Sequence, residues 1–528
     1  MIMSNLYGAS DDYECTTPHL VLDLQQHVFL NIMTGTKEIK SVAIIGAGAA
    51  GAITTAAFVA ENHFERIRVF ERRGTAGGTW IYDPAPSPGL EIHPGRLPTE
   101  VDLPLAIPDQ LPTIEAPSRQ ERFEKTPVYD SLTTNVPDIA MSFSDLPFAY
   151  GPFVPHYVPR QYIENYFSSR RLDSYLSLNT TVEDVSRIPS KERKDRWKLT
   201  LRKFDAIRNV DVWWEEEFDA VVFANGHYSV PFIPEVKGLS EYNKIFPGRV
   251  VHSKYYRSPS VYRGKNVLVI GNSASGHDVT NELVHHVNQP VHQSRRTPSR
   301  WEGNSPPEGI DWKPIIKEYL PSGRIIFEDD TYLDNIDTVI YGTGYKASFP
   351  FWNEKANGRP FWDYKRNKLV NVYWHTFLQD FPTLGIVGVP RVLTFRSFEY
   401  QAIALARLFS GRNTSPLPPL REQQKWETER EALVVKEKRN FHDIPWESGE
   451  TLDWLDGLYR IAGLQTLHGE GRNPPALGKD VIWAIENIRK YPEPDKGKKE
   501  NSTPRGSAAE NDWVVVERAH AKDLLGFI

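Results

Sequence analysis

Cysteine is almost absent from this chain: its 528 residues contain one, Cys15. A single thiol excludes an intramolecular disulfide, an active-site dithiol and any multi-cysteine zinc site. A charge excess is also missing. Lysine and arginine number 62 against 68 acids, a net −6, which excludes a generally basic nucleic-acid binder. The N-terminus has no basic region before an apolar core, so no secretory signal is read, and no anchor long enough to span a bilayer follows. A cytoplasmic protein is expected. One stretch, residues 41–60, lacks charge over nearly the length of a membrane helix. It contains Gly46, Gly48 and Gly51 and opens with four apolar residues. A strand, a tight turn and a buried helix are expected there instead.

What is present is an ordinary globular composition, 40% hydrophobic and 25% charged, long enough for two to four domains. Residues 1–39 read as an N-terminal extension, with a small helix expected from Leu20 to Leu30. Residues 83–117 carry nine prolines. Each proline removes a donor and fixes its own φ, so no regular element is expected, and a surface loop and a lid are equally open. Short strands are expected over 173–225, where Trp197, Leu199 and Leu201 alternate with polar residues, as do Val210, Val212 and Trp214. Buried strands are expected at 219–224, 267–270 and 338–341. The tail from 491 to 528 is polar and expected to be partly disordered.

Residues 46–51 read Gly-Ala-Gly-Ala-Ala-Gly, a G-x-G-x-x-G turn between an apolar strand and a small-residue helix. Gly46 permits the tight turn, Gly48 lets backbone approach a pyrophosphate, and Gly51 lets helix and strand pack closely. Ala50 lies within the turn. The helix N-terminus offers free N–H groups to the phosphates. Glu71 follows 20 residues after Gly51 (71 − 51), where a carboxylate accepts from an adenosine ribose. An acid there suits an unphosphorylated ribose, so FAD or NAD is indicated. Gly77, Gly78, Thr79 and Trp80 follow, a backbone able to lie against flavin or phosphate. Trp80 by spacing alone reads as core packing.

Residues 271–276 read Gly-Asn-Ser-Ala-Ser-Gly, a second phosphate turn in which Ser273 replaces the middle glycine. Gly271, Asn272, Ser273, Ser275 and Gly276 are its candidate contacts. Twenty residues beyond Gly276 stand Arg295, Arg296 and Thr297. Guanidinium at the ribose position matches a 2′-phosphate and keeps its charge, which points to NADP(H). A carboxylate-type site and an arginine-type site in one chain suggest a bound FAD reduced by a diffusible NADPH.

Between the two turns, residues 246–256 follow F-x-G-x-x-x-H-x-x-x-Y, with Phe246, Gly248, His252 and Tyr256 in the fixed positions. With the two glycine motifs, this block resembles the flavin-containing monooxygenases, the class B flavoprotein monooxygenases. The family follows the final aromatic with Lys or Pro, and here Arg257 stands there. Baeyer–Villiger relatives carry Trp where this chain has Tyr256. Ala224-Asn225-Gly226-His227 resembles a linker strand of that family, and Gly342-Thr343-Gly344-Tyr345 its return crossing, with Thr343 a cofactor contact. The block 129–137 resembles the one that ends in an active-site asparagine, which falls on Asn135 beside Thr134. Val182 matches a valine whose backbone meets the FAD adenine. The resemblance covers about residues 40–480.

The resemblance implies an α/β fold of two dinucleotide-binding, Rossmann-like domains, the NADP domain (226–337) inserted into the FAD domain (40–225 and 338–490). It implies an NADPH- and O2-dependent monooxygenase that oxygenates a sulfur or nitrogen nucleophile of a small molecule through a C4a-hydroperoxyflavin, with Asn135 in support. His252 and Tyr256 are assigned to domain closure and NADP placement. No metal site and no nucleic acid are expected: His285, His286 and His292 have no completing ligand. A Baeyer–Villiger enzyme, a flavin N-hydroxylase and a non-catalytic FAD/NADP-binding protein stay open as alternatives, and so does a homo-oligomer.

Overall fold

A computed structural model describes residues 38–86, 93–120, 122–189, 195–299, 301–390, 392–412, 414–463 and 470–491, with a short strand at 514–515. The helix expected between Leu20 and Leu30 and the disorder expected after residue 492 lie outside the described residues.

The uncharged stretch 41–60 forms the strand Ser41–Ile45 and the helix Ala49–Ala60. The strand is central in a seven-stranded sheet, covered on both faces, which explains its unbroken apolar run. The sheet runs Val372–Tyr373, Phe377–Leu378, Leu384–Ile386, Ala220–Phe223, Ser41–Ile45, Arg66–Phe70, Leu176–Ser177. Its last five strands are mutually parallel. The helix Ala49–Ala60 packs against the helix Phe395–Ser410, and its alanines let the two approach closely. Among the described residues no helix is long and apolar enough to cross a membrane.

A second, all-parallel sheet runs Val250–His252, Thr338–Tyr341, Val267–Ile270, Val291–Ser294, Ile310–Lys313. In the chain it falls between Ala220–Phe223 and Leu384–Ile386 of the first sheet. The fold is therefore α/β, with one dinucleotide-binding domain inserted into another. One boundary needs correction. Thr338–Tyr341, expected to open the second part of the FAD domain, is an inner strand of the inserted sheet, paired on both sides. A fully apolar run fits either sheet; hydrogen-bond register decides, and the inserted domain ends after Tyr341. The two linkers then pair with each other, Val230–Pro231 against Tyr345–Lys346.

The strands expected over 173–225 include an antiparallel meander, Thr180–Ile188, Arg196–Asp205 and Val210–Phe218. Trp197, Leu199 and Leu201 are fully buried. On the third strand Asp211 and Trp213 are the buried face, and Val210, Val212 and Trp214 are half-buried. The proline-rich stretch supplies part of the cover, against expectation. It forms a short helix, Pro98–Val101, and an edge strand, Thr113–Glu115, that pairs with Val210–Phe218. Proline is tolerated at the first helical position because its N–H would be unpaired anyway. The strand itself contains no proline. A buried charge chain anchors the insertion. Asp102 meets Arg122 at 3.1 Å, Arg122 meets Glu183 at 3.4 Å, and Glu183 meets Arg202 at 2.8 Å. Arg202 then meets Asp211 at 3.2 Å, and Asp211 accepts the Ser118 N–H at 2.8 Å.

Candidate functional site

The first glycine turn lines an open cleft. Gly46 has φ +106°, and a Cβ there would lie 2.6 Å from the Ala224 carbonyl oxygen. A Cβ on Gly51 would lie 1.9 Å from the Gly46 oxygen, so helix and strand touch through bare backbone. A Cβ on Gly78 would lie 2.7 Å from the Gly48 Cα, which brings two glycine backbones together on the wall. Glu71 is buried at the same wall. Its Oε2 accepts the Ala47 N–H at 2.8 Å and its Oε1 the Arg73 N–H at 2.9 Å. Thr79, Trp80, Ala50, Gly388, Phe395 and Phe398 complete the wall. A carboxylate, a run of glycine backbone at a helix N-terminus and three aromatic rings suit the ribose, pyrophosphate and flat ring system of FAD. The residues present therefore fit the group.

The second turn repeats the geometry. Gly271 has φ +102°, and a Cβ on Gly276 would lie 2.1 Å from the Gly271 oxygen. Ser273 precedes the helix Ala274–Leu283 with φ −83° and ψ −172°, close to the −78° and −166° of Gly48. That extended backbone admits any residue. The middle glycine serves close approach, not φ, so the serine needs no strain. Ser275 lies in the first turn of the helix. The Asn272 amide donates to the Thr297 carbonyl at 2.7 Å and to Glu302 at 2.9 Å. Arg295 is engaged: it pairs with Glu302 at 2.8 Å and stacks 3.3 Å from the Trp312 ring centre. Arg296 is exposed and has no ion pair or hydrogen bond among the described residues.

Asn135 is exposed on a separate, open cavity. Trp301 of the inserted domain, Trp446, Glu447 and residues 488–491 line it too. The two cavities share a partition: Leu393 faces the Asn135 cavity and Thr394 the glycine cleft. Gly51, Thr134, Val182 and Thr343 also lie off the cleft wall. The Thr134 hydroxyl is buried and accepts the Val154 N–H at 3.0 Å. Val182 lies on the first strand of the meander, opposite Leu201, with its side chain packed in the core. The Thr343 hydroxyl donates to the Phe232 carbonyl at 2.5 Å, tying one linker to the other. Among the described residues no cluster of three His, Cys, Asp or Glu could hold a metal.

The sequence matches the flavin-binding monooxygenase-like family over residues 118–304 and 307–448. The chain belongs to that family. It is 31% identical over 436 residues to flavin-containing monooxygenase FMO GS-OX5 of Arabidopsis thaliana, covering 79% of this chain and 84% of the relative. It is 29% identical over 463 residues to flavin-containing monooxygenase iboF of Amanita muscaria, covering 75% and 83%. The solved structure of S-allyl-L-cysteine S-oxygenase from Allium sativum superposes with a TM-score of 0.65 at 26% identity, covering 81% of this chain and 89% of the other. Tmm from a Pelagibacter strain, at 24% identity and TM-score 0.60, shares the fold, covering 80% and 86%.

In this flavin monooxygenase, whose family uses FAD and NADPH, the F-x-G-x-x-x-H-x-x-x-Y block is a junction. His252 is fully buried. Its Nδ1 accepts the Lys254 N–H at 3.0 Å, so Nε2 carries the proton and donates to the Gly344 carbonyl at 3.0 Å. Burial holds its pKa down to about 3, so it stays neutral and latches the return linker. The Tyr256 hydroxyl donates to Glu282 at 2.7 Å. Arg257, the departure from the family pattern, is buried and donates to four carbonyls. They are Asp83 at 2.5 Å, Lys254 and Tyr256 at 2.8 Å, and Thr126 at 3.1 Å. It thus ties Asp83, where the insertion begins, and Thr126, nine residues past its end (126 − 117), to the junction. Lys254 is buried beside it and donates to the Ser229 and Phe123 carbonyls; desolvation pushes its pKa down to about 7.

Sequence reasoning missed Gly388, Phe395, Phe398 and residues 123–127 on the cleft wall. Gly388 has φ +95° and lies 3.3 Å, at the Cβ position, from the Ala50 methyl. No local motif marks these residues, because their partner is the first turn far upstream.

Proposed function

We propose that this chain is an NADPH- and O2-dependent monooxygenase that oxygenates a soft nucleophile, sulfur before nitrogen, of a small molecule. The observation that carries the reading is the contrast between the two turns. Glu71 stands at the first, and Arg296, exposed and without a partner among the described residues, follows the second. The first suits a bare ribose and the second a 2′-phosphate. The similarity to an S-oxygenase supports sulfur, and Tyr256 in place of Trp speaks against a ketone.

Held by the first glycine turn, Glu71 and the aromatic wall, FAD would supply the redox and O2 chemistry that no side chain can. The chain's own work is binding and exclusion. The glycine backbones and the helix N-terminus hold phosphate, and Glu71 accepts from the ribose hydroxyls. Trp80, Phe395 and Phe398 keep water from the ring, as a reactive oxygen species requires. The Asn135 amide supplies a hydrogen bond without a titrating proton. His252, neutral and bonded at both nitrogens, positions the linker and transfers no proton.

The test is turnover. Purified protein is given NADPH, O2 and a panel of a thioether, a tertiary amine and a ketone, with product and peroxide both measured. Sulfoxide formation matched to NADPH consumed is expected. Ester from the ketone with neither sulfoxide nor N-oxide overturns the reading.

A further inference from the structure

Helix Ala274–Leu283 starts at the second phosphate turn and carries two carboxylates one turn apart, Asp278 and Glu282. Tyrosines from other elements bond both. Tyr256 donates to Glu282. Tyr129 donates to Oδ2 of Asp278, and Tyr491 donates to its Oδ1. Lys490 Nζ stands 3.9 Å from Oδ2 of the same carboxylate and donates to the Thr133 carbonyl at 3.4 Å. Thr133 is two residues before Asn135, and Tyr129 opens the same block. The Tyr491 ring packs 4.7 Å from His277 and 5.8 Å from Trp301, both of the inserted domain. Three segments distant in sequence therefore meet at one side chain. They are the helix of the NADP domain, the Asn135 block of the FAD domain, and residues 490–491.

We propose that Asp278 is a positioning residue, whose carboxylate registers the Asn135 segment against the helix that opens the NADP site. Only a carboxylate offers two acceptor oxygens to two phenols together with a charge for Lys490. Burial beside Asp278 raises the Tyr129 pKa, so this hydroxyl stays a donor. Without the contact, Asn135 moves independently of the NADP domain, and the cavity it lines loses its fixed wall. The proposal rests on the reading of Asn135 given above for its effect on turnover, but not for its effect on order.

The test uses the full-length, FAD-loaded protein and three variants: Asp278→Ala, Asp278→Asn and Tyr491→Phe. Hydrogen exchange of the amides at 131–136 is measured without NADPH, and peroxide per NADPH and KM for NADPH are measured in turnover. Asp278→Ala is expected to speed exchange about tenfold, the worth of a charge-assisted hydrogen bond. It should raise peroxide yield about fivefold and leave KM for NADPH within about twofold, since the phosphate turn is untouched. Asp278→Asn keeps one acceptor and should recover part of both effects; Tyr491→Phe should show a smaller loss. Unchanged exchange at 131–136 in a folded Asp278→Ala protein overturns the proposal, as does a change confined to KM. Should Asp278→Ala fail to retain flavin, unchanged exchange in both milder variants overturns it. If the wild type oxygenates nothing, the functional reading fails while the exchange measurement still decides the role of Asp278.

Discussion

Replacing Gly51 or Gly276 with alanine separates the two nucleotide sites in one experiment. The new Cβ would lie 1.9 Å from the Gly46 oxygen in the first variant and 2.1 Å from the Gly271 oxygen in the second. Real Cβ contacts essentially never fall below 3.0 Å. The helix or the turn must therefore give by 3.0 − 1.9 = 1.1 Å at the first site and 3.0 − 2.1 = 0.9 Å at the second. Neither obstacle is a flexible side chain; both are backbone carbonyls within the turn proposed to cradle phosphate. Overpacking of this kind costs about 1–3 kcal/mol. If the strain is relieved by opening the turn, affinity falls by roughly tenfold to a hundredfold. Gly51→Ala is expected to purify with much less flavin, measured as flavin released on denaturation per mole of protein. Gly276→Ala should keep its flavin and show a KM for NADPH raised by that factor. Loss of flavin from Gly276→Ala with normal KM for NADPH, or the converse for Gly51→Ala, refutes the assignment of the two turns.

Arg296→Ala should raise KM for NADPH roughly fivefold to thirtyfold, the worth of one charge-assisted contact discounted for its exposure. KM for NADH should stay within about twofold, and equal effects would place the 2′-phosphate elsewhere. Asn135→Ala should raise peroxide released per NADPH about fivefold, consistent with the loss of one hydrogen bond; unchanged coupling removes Asn135 from the chemistry. His252 predicts a pH effect. Its folded pKa is depressed to about 3 from 6.5, so below pH 6.5 the unfolded chain takes up a proton that the folded chain refuses. Stability then falls with falling pH by about 1.4 kcal/mol per unit until pH approaches 3. His252→Gln retains a donor for the Gly344 carbonyl without titrating, and the slope of denaturant midpoint between pH 6.5 and 5 should shrink by one proton. An unchanged slope contradicts the buried neutral imidazole.

The two glycine turns proposed to hold phosphate were legible in the sequence because their geometry is local. A strand, a turn with glycine at fixed spacing and a helix place Gly46, Gly48 and Gly51 relative to one another whatever lies around them. The same holds for Gly271 and Gly276. The position of Glu71 follows from the length of a helix and one strand. Even the serine at 273 is explained by its own φ and ψ. The charge-free run at 41–60 resolved correctly for the same reason, since glycines at a turn and a bilayer span are incompatible readings of one segment.

What the tertiary structure alone decided is which distant segments meet. Gly388, Phe395 and Phe398 reach the first turn because the helix Phe395–Ser410 packs on Ala49–Ala60, and no spacing in the chain encodes that contact. Thr338–Tyr341 is equally apolar in either sheet, so hydrogen-bond register had to assign it. The proline-rich insertion was illegible as structure because its order comes from a buried ionic chain, Asp102 to Asp211, whose members are scattered through the sequence. Asp278 reads as one more acid on a helix until Tyr129 arrives from one distant segment and Lys490 and Tyr491 from another. Short-range sterics wrote the phosphate turns into the chain, and long-range packing determined what encloses them.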